Sequence, residues 1–334
     1  MTRLIKISVV VFFIACLLLI TLVATTYLKV NEANLLVDET FITLAPGTTF
    51  NRFTKKLQND GVVDTRFWLR NYIRFNKQYA KIKAGTYLIK PGQSYLSILS
   101  MIAKGDEHQF FITFVEGSTF KQWLAQLKTR SELTQRLQSA ESIKQMLQSF
   151  GIEQANPEGL FFPDTYAFTY KTTDIEVLKK AYVKMKQQLD LAWNTRAVGL
   201  PYKNSYQALI MASIIEKESG KFSEHTRISS VFINRLNNKM RLQTDPTVIY
   251  GLGERYQGDI KRIHLREKTP YNTYRINGLP PTPIAMPGLS ALEAAMHPEE
   301  SDYFYFVSNG QGKHIFSTTL TEHNKAVAKY QLGK

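Results

Sequence analysis

The chain has 334 residues, 44% of them hydrophobic, and carries 42 Lys and Arg against 28 Asp and Glu for a formal charge of +14. That length buries a sizeable core and fits more than one domain. A single cysteine, Cys16, excludes an intrachain disulfide and any multi-thiolate metal site.

The N-terminus comes first. Arg3 and Lys6 precede an almost unbroken apolar run from Ile7 to Leu28, long enough at 1.5 Å per residue to cross a hydrocarbon core of about 30 Å. We read residues 1–6 as cytoplasmic and 7–28 as a transmembrane helix. A cleavable signal peptide would have a shorter apolar region and a small-residue cleavage site. A lipoprotein reading of Ile14-Ala15-Cys16 conflicts with the membrane-like Leu17–Val23 that follows. The basic residues ahead of the span orient everything after Leu28 to the outside. An exported basic protein meets acidic envelope polymers and anionic lipid headgroups, so no nucleic acid is expected as a partner; a generally basic, solvated surface is the plain alternative.

A polar connector, 29–40, leads into a pattern that occurs three times. Gly47, Gly92 and Gly117 are each followed at plus two by a hydroxyl residue (Thr49, Ser94, Thr119) and at plus three by an aromatic (Phe50, Tyr95, Phe120). The agreement continues at plus six and plus ten, offsets that trace one helix face, with the hydroxyl placed as N-cap and the glycine as the turn before it. A β-rich run precedes each glycine: Phe41–Leu44, Thr86–Ile89 and Phe110–Val115. A further helix from Asp64 through Phe75 gives the order strand, helix, helix, strand, helix over 41–106, which resembles the small glycan-binding module LysM. A packing domain without a ligand fits the same order. The third copy opens a larger domain, 107–334.

Ser131–Gln148 reads as polar and helical, and Thr173–Trp193 as a long helix. Between them Glu158–Tyr166 is an aromatic loop bounded by turn residues. Such aromatics stack on sugar rings when exposed and serve equally as core.

In Ala208–Gly220 an apolar helical pattern runs into two carboxylates. At about 100° per residue Glu218 continues the line of Met211, Ile214 and Ile215, whereas Glu216 continues that of Leu209, Ala212 and Ser213, so the two acids project about 200° apart. A carboxyl at the rim of an apolar face has its pKa raised and can donate a proton near neutrality, which makes Glu218 the candidate general acid. A solvated helix end, with Glu216, Lys217 and Glu218 all facing water, fits the same pattern.

Downstream lie Phe232–Leu236, Leu242–Gly251 with its Gln-Thr-Asp-Pro-Thr core, Tyr271-Asn272-Thr273-Tyr274, and a proline-rich loop, Gly278–Gly288. No His-Glu-x-x-His pair, phosphate loop or Gly-x-Ser-x-Gly elbow occurs. These motifs, in this order after Ala212–Glu218, resemble the endolytic murein transglycosylase (YceG-like) family over essentially the whole chain.

The resemblance implies an α+β fold: an N-terminal transmembrane helix, a small LysM-like α+β module and a larger α+β catalytic domain in the periplasm, anchored in the inner membrane. It implies cleavage of the bond between N-acetylmuramic acid and N-acetylglucosamine in nascent peptidoglycan strands, without water, metal or cofactor. The second glutamate of Glu-Lys-Glu, Glu218, is then the catalytic one. It acts as acid and then as base while the muramic C6 hydroxyl closes a 1,6-anhydro ring. Peptidoglycan synthases or the division and elongation machinery are partners expected on the same ground. Asp245, Asn272, Tyr250, Tyr274 and Glu216 are candidates for holding substrate or Glu218. Asp245 reads otherwise as a turn or helix cap bound to backbone amides, and Arg235 and Arg241 as surface residues with a possible carboxylate-binding role. Two alternatives stay open: a glycan-binding or assembly protein without catalysis, and a muramidase using Asp245 as second carboxylate.

Overall fold

The computed structural model describes residues 2–333. Its first helix, α1 (Thr2–Val30), exposes apolar side chains from Leu4 to Leu28 and is long and apolar enough to cross a membrane. The chain divides into two units: residues up to Phe110, α1 included, with Ala167–Lys171, and Phe111–Tyr166 with Thr172 onward.

In the first unit β1 (Thr40–Leu44) is followed by helices α2 (Phe50–Asn59) and α3 (Phe67–Phe75), then β2 (Gly85–Ile89) and α4 (Tyr95–Lys104). The strands pair antiparallel, with Thr40 opposite Ile89 and Leu44 opposite Gly85. Ile42, Phe53, Leu57, Leu69, Tyr87, Ile98 and Ile102 fill the core, and Val30 at the end of α1 joins them.

The three glycine turns are alike. Gly47, Gly92 and Gly117 have φ of +76°, +77° and +72°, the left-handed region where a side chain is strained. Thr49, Ser94 and Thr119 then accept the backbone N–H of Arg52, Ser97 and Gln122, which starts α2, α4 and α5 (Phe120–Lys128).

The second unit carries β3 (Phe110–Thr113) from Phe111 on, α5, α6 (Ala140–Ser149), β4 (Thr165–Phe168) up to Tyr166, α7 (Asp174–Asn194) and α8 (Ser205–Glu218). Then follow α9 (His225–Asn237), α10 (Asp245–Leu252), α11 (Arg262–Arg266), α12 (Leu289–Met296), the antiparallel hairpin of β5 (Tyr305–Ser308) and β6 (His314–Ser317), and α13 (Leu320–Gln331). Helix α8 is the centre. Every residue from Ala208 to Ile215 is buried, with α12, α7 and α9 packed around it, so the helix is enclosed on all sides rather than amphipathic.

One expectation changes and one open reading is decided. Ser131–Gln148 is not one helix: α6 starts only at Ala140, behind the Ser139 cap. Upstream, the buried Asp174 carboxylate accepts the N–H groups of Arg136 (3.0 Å) and Leu137 (2.9 Å), which fixes an irregular turn over Leu133 and Leu137. The aromatic loop is core: Leu160, Phe161, Phe162 and Tyr166 are all buried, and none is free to stack on a sugar.

Candidate active site

Helix α8 stops at Glu218 because Ser219 turns extended, its carbonyl accepting from His225 Nε2 at 2.8 Å. The Glu218 carboxyl thus stands where the buried helix α8 meets a cleft of about 600 Å³. Thr244, Asp245, Tyr274 and Arg235 line this cleft with it, as do Tyr305, His314 and His323. Among the described lining residues Glu218 and Asp245 are the only carboxylates.

Glu218 keeps part of its surface open to the cleft, but the protein crowded around its carboxyl excludes water and pushes its pKa up to about 7. The hydrogen bond from Thr244 Oγ1 pulls the other way, the negative charge of Asp245 adds to the rise, and Arg235 opposes it.

Thr244 is rigid. Its N–H donates to Thr273 Oγ1 at 3.0 Å, and its carbonyl accepts from Thr247 Oγ1 at 2.8 Å. Gln243 before it takes a left-handed φ of +53°, which turns the chain so that Thr244 faces α8 and Asp245-Pro246 opens α10.

The other expected residues divide sharply. Asp245 and Tyr274 are in the cleft, and the Tyr274 hydroxyl donates to Asp245 Oδ1 at 2.7 Å. Burial, that hydrogen bond and the Asp245 charge push the phenol pKa up. Asp245 is therefore not the backbone-bound cap expected of it: its side chain serves a tyrosine, because Thr244 already stands at the cap position.

Asn272 is buried outside the cleft, donating to the carbonyls of His264 (3.0 Å) and Glu267 (2.6 Å) and accepting the Tyr274 N–H. It shapes the loop that presents Tyr274. Glu216 points away from the cleft and accepts the Gly288 N–H at 3.0 Å at the start of α12; burial raises its pKa. Tyr250 belongs to another cluster, where it donates to Glu158 Oε2 at 3.2 Å and accepts from Asn156 at 3.3 Å.

Arg235 is not a surface residue. It is 8% exposed, donates to the carbonyls of Phe304 (2.7 Å) and Leu242 (2.8 Å), and lies over the Tyr305 ring. It ties the residue just before the hairpin to the irregular segment leading to Thr244. Arg241 is exposed and donates to Tyr274 O at 3.1 Å.

Sequence reasoning passed over three groups. Thr244 and Thr273 were visible only as neighbours of Asp245 and Asn272. The pair of Glu224 and His314 (2.8 Å) ties the hairpin to the turn after α8. Burial raises the Glu224 carboxyl, but the hydrogen bonds from His314 outweigh it and hold the pKa below the usual range. Glu158 is a second buried acid, pushed up to about 7 by burial while the N–H of Phe120 and the hydroxyl of Tyr250 partly offset it.

Fold and cleft together define an α+β protein with, among the described residues, one membrane-length helix and a polar cleft built around a desolvated carboxyl. The YceG-like family model matches residues 42–329, and the chain belongs to that family. An endolytic murein transglycosylase of Bacillus subtilis (strain 168) is 32% identical over 312 residues, covering 88% of this chain and 85% of the relative. One of Streptococcus pneumoniae (strain ATCC BAA-255 / R6) is 28% identical over 322 residues; the match takes in 86% of this chain but only 58% of the pneumococcal protein. The crystal structure of a YceG-like protein from Listeria monocytogenes matches 86% of this chain and 99% of its own, with 30% identity and a TM-score of 0.54.

Proposed function

We propose that the chain is a membrane-anchored endolytic murein transglycosylase, cutting the bond between N-acetylmuramic acid and N-acetylglucosamine in nascent peptidoglycan to leave 1,6-anhydro ends. The observation that carries this is Glu218: one carboxyl, desolvated, titrating near neutrality, and open to a polar cleft. Two relatives bear that activity as their name.

A group with a pKa near the working pH can give and take a proton in one cycle. Glu218 protonates the glycosidic oxygen as the bond to C1 breaks. The resulting carboxylate takes the proton from the muramic C6 hydroxyl as that oxygen bonds to C1, so no water is consumed and Glu218 ends protonated. The substrate's own N-acetyl group stabilises the oxocarbenium-like centre, which removes the need for an enzymic nucleophile. Thr244 occupies Oε1 and leaves Oε2 for the proton.

The first unit, with its strand, helix, helix, strand, helix order, is a LysM-like module over 41–106, and 107–334 is the catalytic domain. Helix α1 spans the inner membrane with the N-terminus in the cytoplasm. Tethering holds the site where strands are made, beside the synthases and the division or elongation machinery, and raises its effective concentration there. Endolytic cutting then sets strand length.

Because Asp245 shares the cleft, a two-carboxylate muramidase is the second reading. Product chemistry separates the two. Full-length protein in detergent, as wild type and Glu218→Gln, is incubated with purified peptidoglycan, and the released ends are weighed by mass spectrometry. Anhydro ends, about 18 Da lighter than hydrolysed ones for want of a water, made by wild type and not by the variant, are expected. Reducing ends mean a muramidase. No cleavage by wild type favours a binding protein.

A further inference from the structure

Helix α3 has a surface that nothing in its own unit covers. Leu69 and Tyr72 reach the core, and the helix packs against α1. Phe67 and Phe75, however, are 50% and 68% exposed, with Arg70 and Arg74 in solvent. Trp68 meets Phe67 edge-on, ring centroids 4.9 Å apart. Two large exposed aromatics on one short helix, with a half-buried tryptophan beside the first, call for a partner.

Charge says what kind. From Thr65 to Gly105 there is no Asp or Glu but eight basic residues, beginning with Arg66, Arg70 and Arg74 at four-residue spacing and continuing with Lys77 and Lys81. Four-residue spacing stacks arginines along one side of a helix.

Position says which partner. The apolar run Ile7–Leu28 covers about 33 Å at 1.5 Å per residue, against a hydrocarbon core of about 30 Å. Its far boundary therefore falls near Tyr27 and Leu28, both exposed, while Thr26 and Val30 are already buried within the unit. A helix packed on this end of α1 stands at headgroup level, where aromatic rings partition and arginines meet anionic lipid.

We infer that α3, with Lys77 and Lys81 just after it, forms a membrane-docking face seated in the headgroup layer of an anionic bilayer, so that this face of the first unit lies on the membrane. This rests on the reading of α1 as a membrane span.

The test uses the full chain with Cys16→Ser and one new cysteine, at Phe75, Val10 or Lys104, carrying an environment-sensitive fluorophore. Each is reconstituted in phosphatidylglycerol and phosphatidylethanolamine vesicles containing spin-labelled quencher lipids. The Val10 label on α1 reports the span, and Lys104 at the end of α4 is the comparison site. Quenching at Phe75 by headgroup-level quencher is expected to be at least about twice that at Lys104. Changing Arg66, Arg70 and Arg74 together to Glu should bring Phe75 down to the Lys104 level while circular dichroism and Val10 quenching stay the same. Equal quenching at Phe75 and Lys104 in the unaltered helix, with Val10 quenched, overturns the docking face and leaves the span intact. An unquenched Val10 removes the span and the inference with it. Shielding of the Phe75 label by glycan strands but not by vesicles makes the face a glycan site and also overturns the inference.

Discussion

Thr244 Oγ1 donates its hydrogen bond to Glu218 Oε1, joining the start of α10 to the end of α8. Its own backbone is pinned by Thr273 and Thr247, all three threonines being almost fully buried. A carboxyl held this way has one oxygen committed and one facing the cleft. The same hydrogen bond stabilises the charged form of Glu218 and so keeps its rise from going further.

Thr244→Val should therefore move Glu218 upward in pKa. The alkaline limb of kcat/KM, where the acid loses its proton, shifts to higher pH, and the maximal rate falls about ten-fold as the carboxyl loses its orientation. Thr244→Ser should restore both. A pH–rate profile of the three proteins decides, and a limb that stays in place with Val at this position would make Thr244 merely a packing residue.

Asp245→Asn works in the opposite sense. The negative charge of Asp245 raises Glu218, so neutralising it lowers the alkaline limb, while the amide oxygen can still accept from Tyr274. With Glu218 as sole acid and base, the rate should stay within about ten-fold of wild type and the products remain anhydro. A loss of roughly a thousand-fold or more would give Asp245 the second-carboxylate role of a hydrolase.

How far the sequence discloses this site depends on whether the signal is local. The three glycine–hydroxyl turns were legible because capping is decided within four residues, as Thr49, Ser94 and Thr119 confirm. The spread between Glu216 and Glu218 was legible from helix geometry: one takes the Gly288 N–H and the other the Thr244 hydroxyl. Apolar periodicity could not separate a buried aromatic loop from an exposed one at Phe161 and Phe162, since burial is set by what folds over them. Nor could spacing show that Arg235 turns inward, because its acceptors, Phe304 O and Leu242 O, are loop carbonyls placed by the tertiary fold.

Glu158 makes stability depend on pH. Its folded pKa, about 7, lies above the ordinary 4.5 expected when unfolded. The contribution of this buried acid is fully present below pH 4.5 and is lost as pH rises through 7, amounting to at most about 3 kcal/mol. Glu158→Gln cannot ionise and keeps an acceptor for the Phe120 N–H. Thermal unfolding in detergent should show the variant matching wild type at about pH 5 and melting several degrees higher at about pH 8. A variant less stable at the higher pH would mean that the ionised carboxylate is the form the fold prefers.

Gly159 couples that acid to helix α8. Its φ of +79° disfavours any side chain, and a Cβ there would run into the ring of Pro283. The proline cannot easily yield: the next residue, Ile284, donates its N–H to Ser213 Oγ at 3.0 Å, and Ser213 lies on α8 ahead of Glu218. Gly159→Ala should cost about 2–4 kcal/mol, combining left-handed strain with overpacking. Gly199, at φ +82° with open space around it, isolates the strain alone, and Gly199→Ala should cost about 1 kcal/mol. Denaturant unfolding of the two variants separates these contributions. Equal losses would show that Pro283 moves aside freely, and that the proline loop is not clamped to α8 as its hydrogen bond to Ser213 indicates.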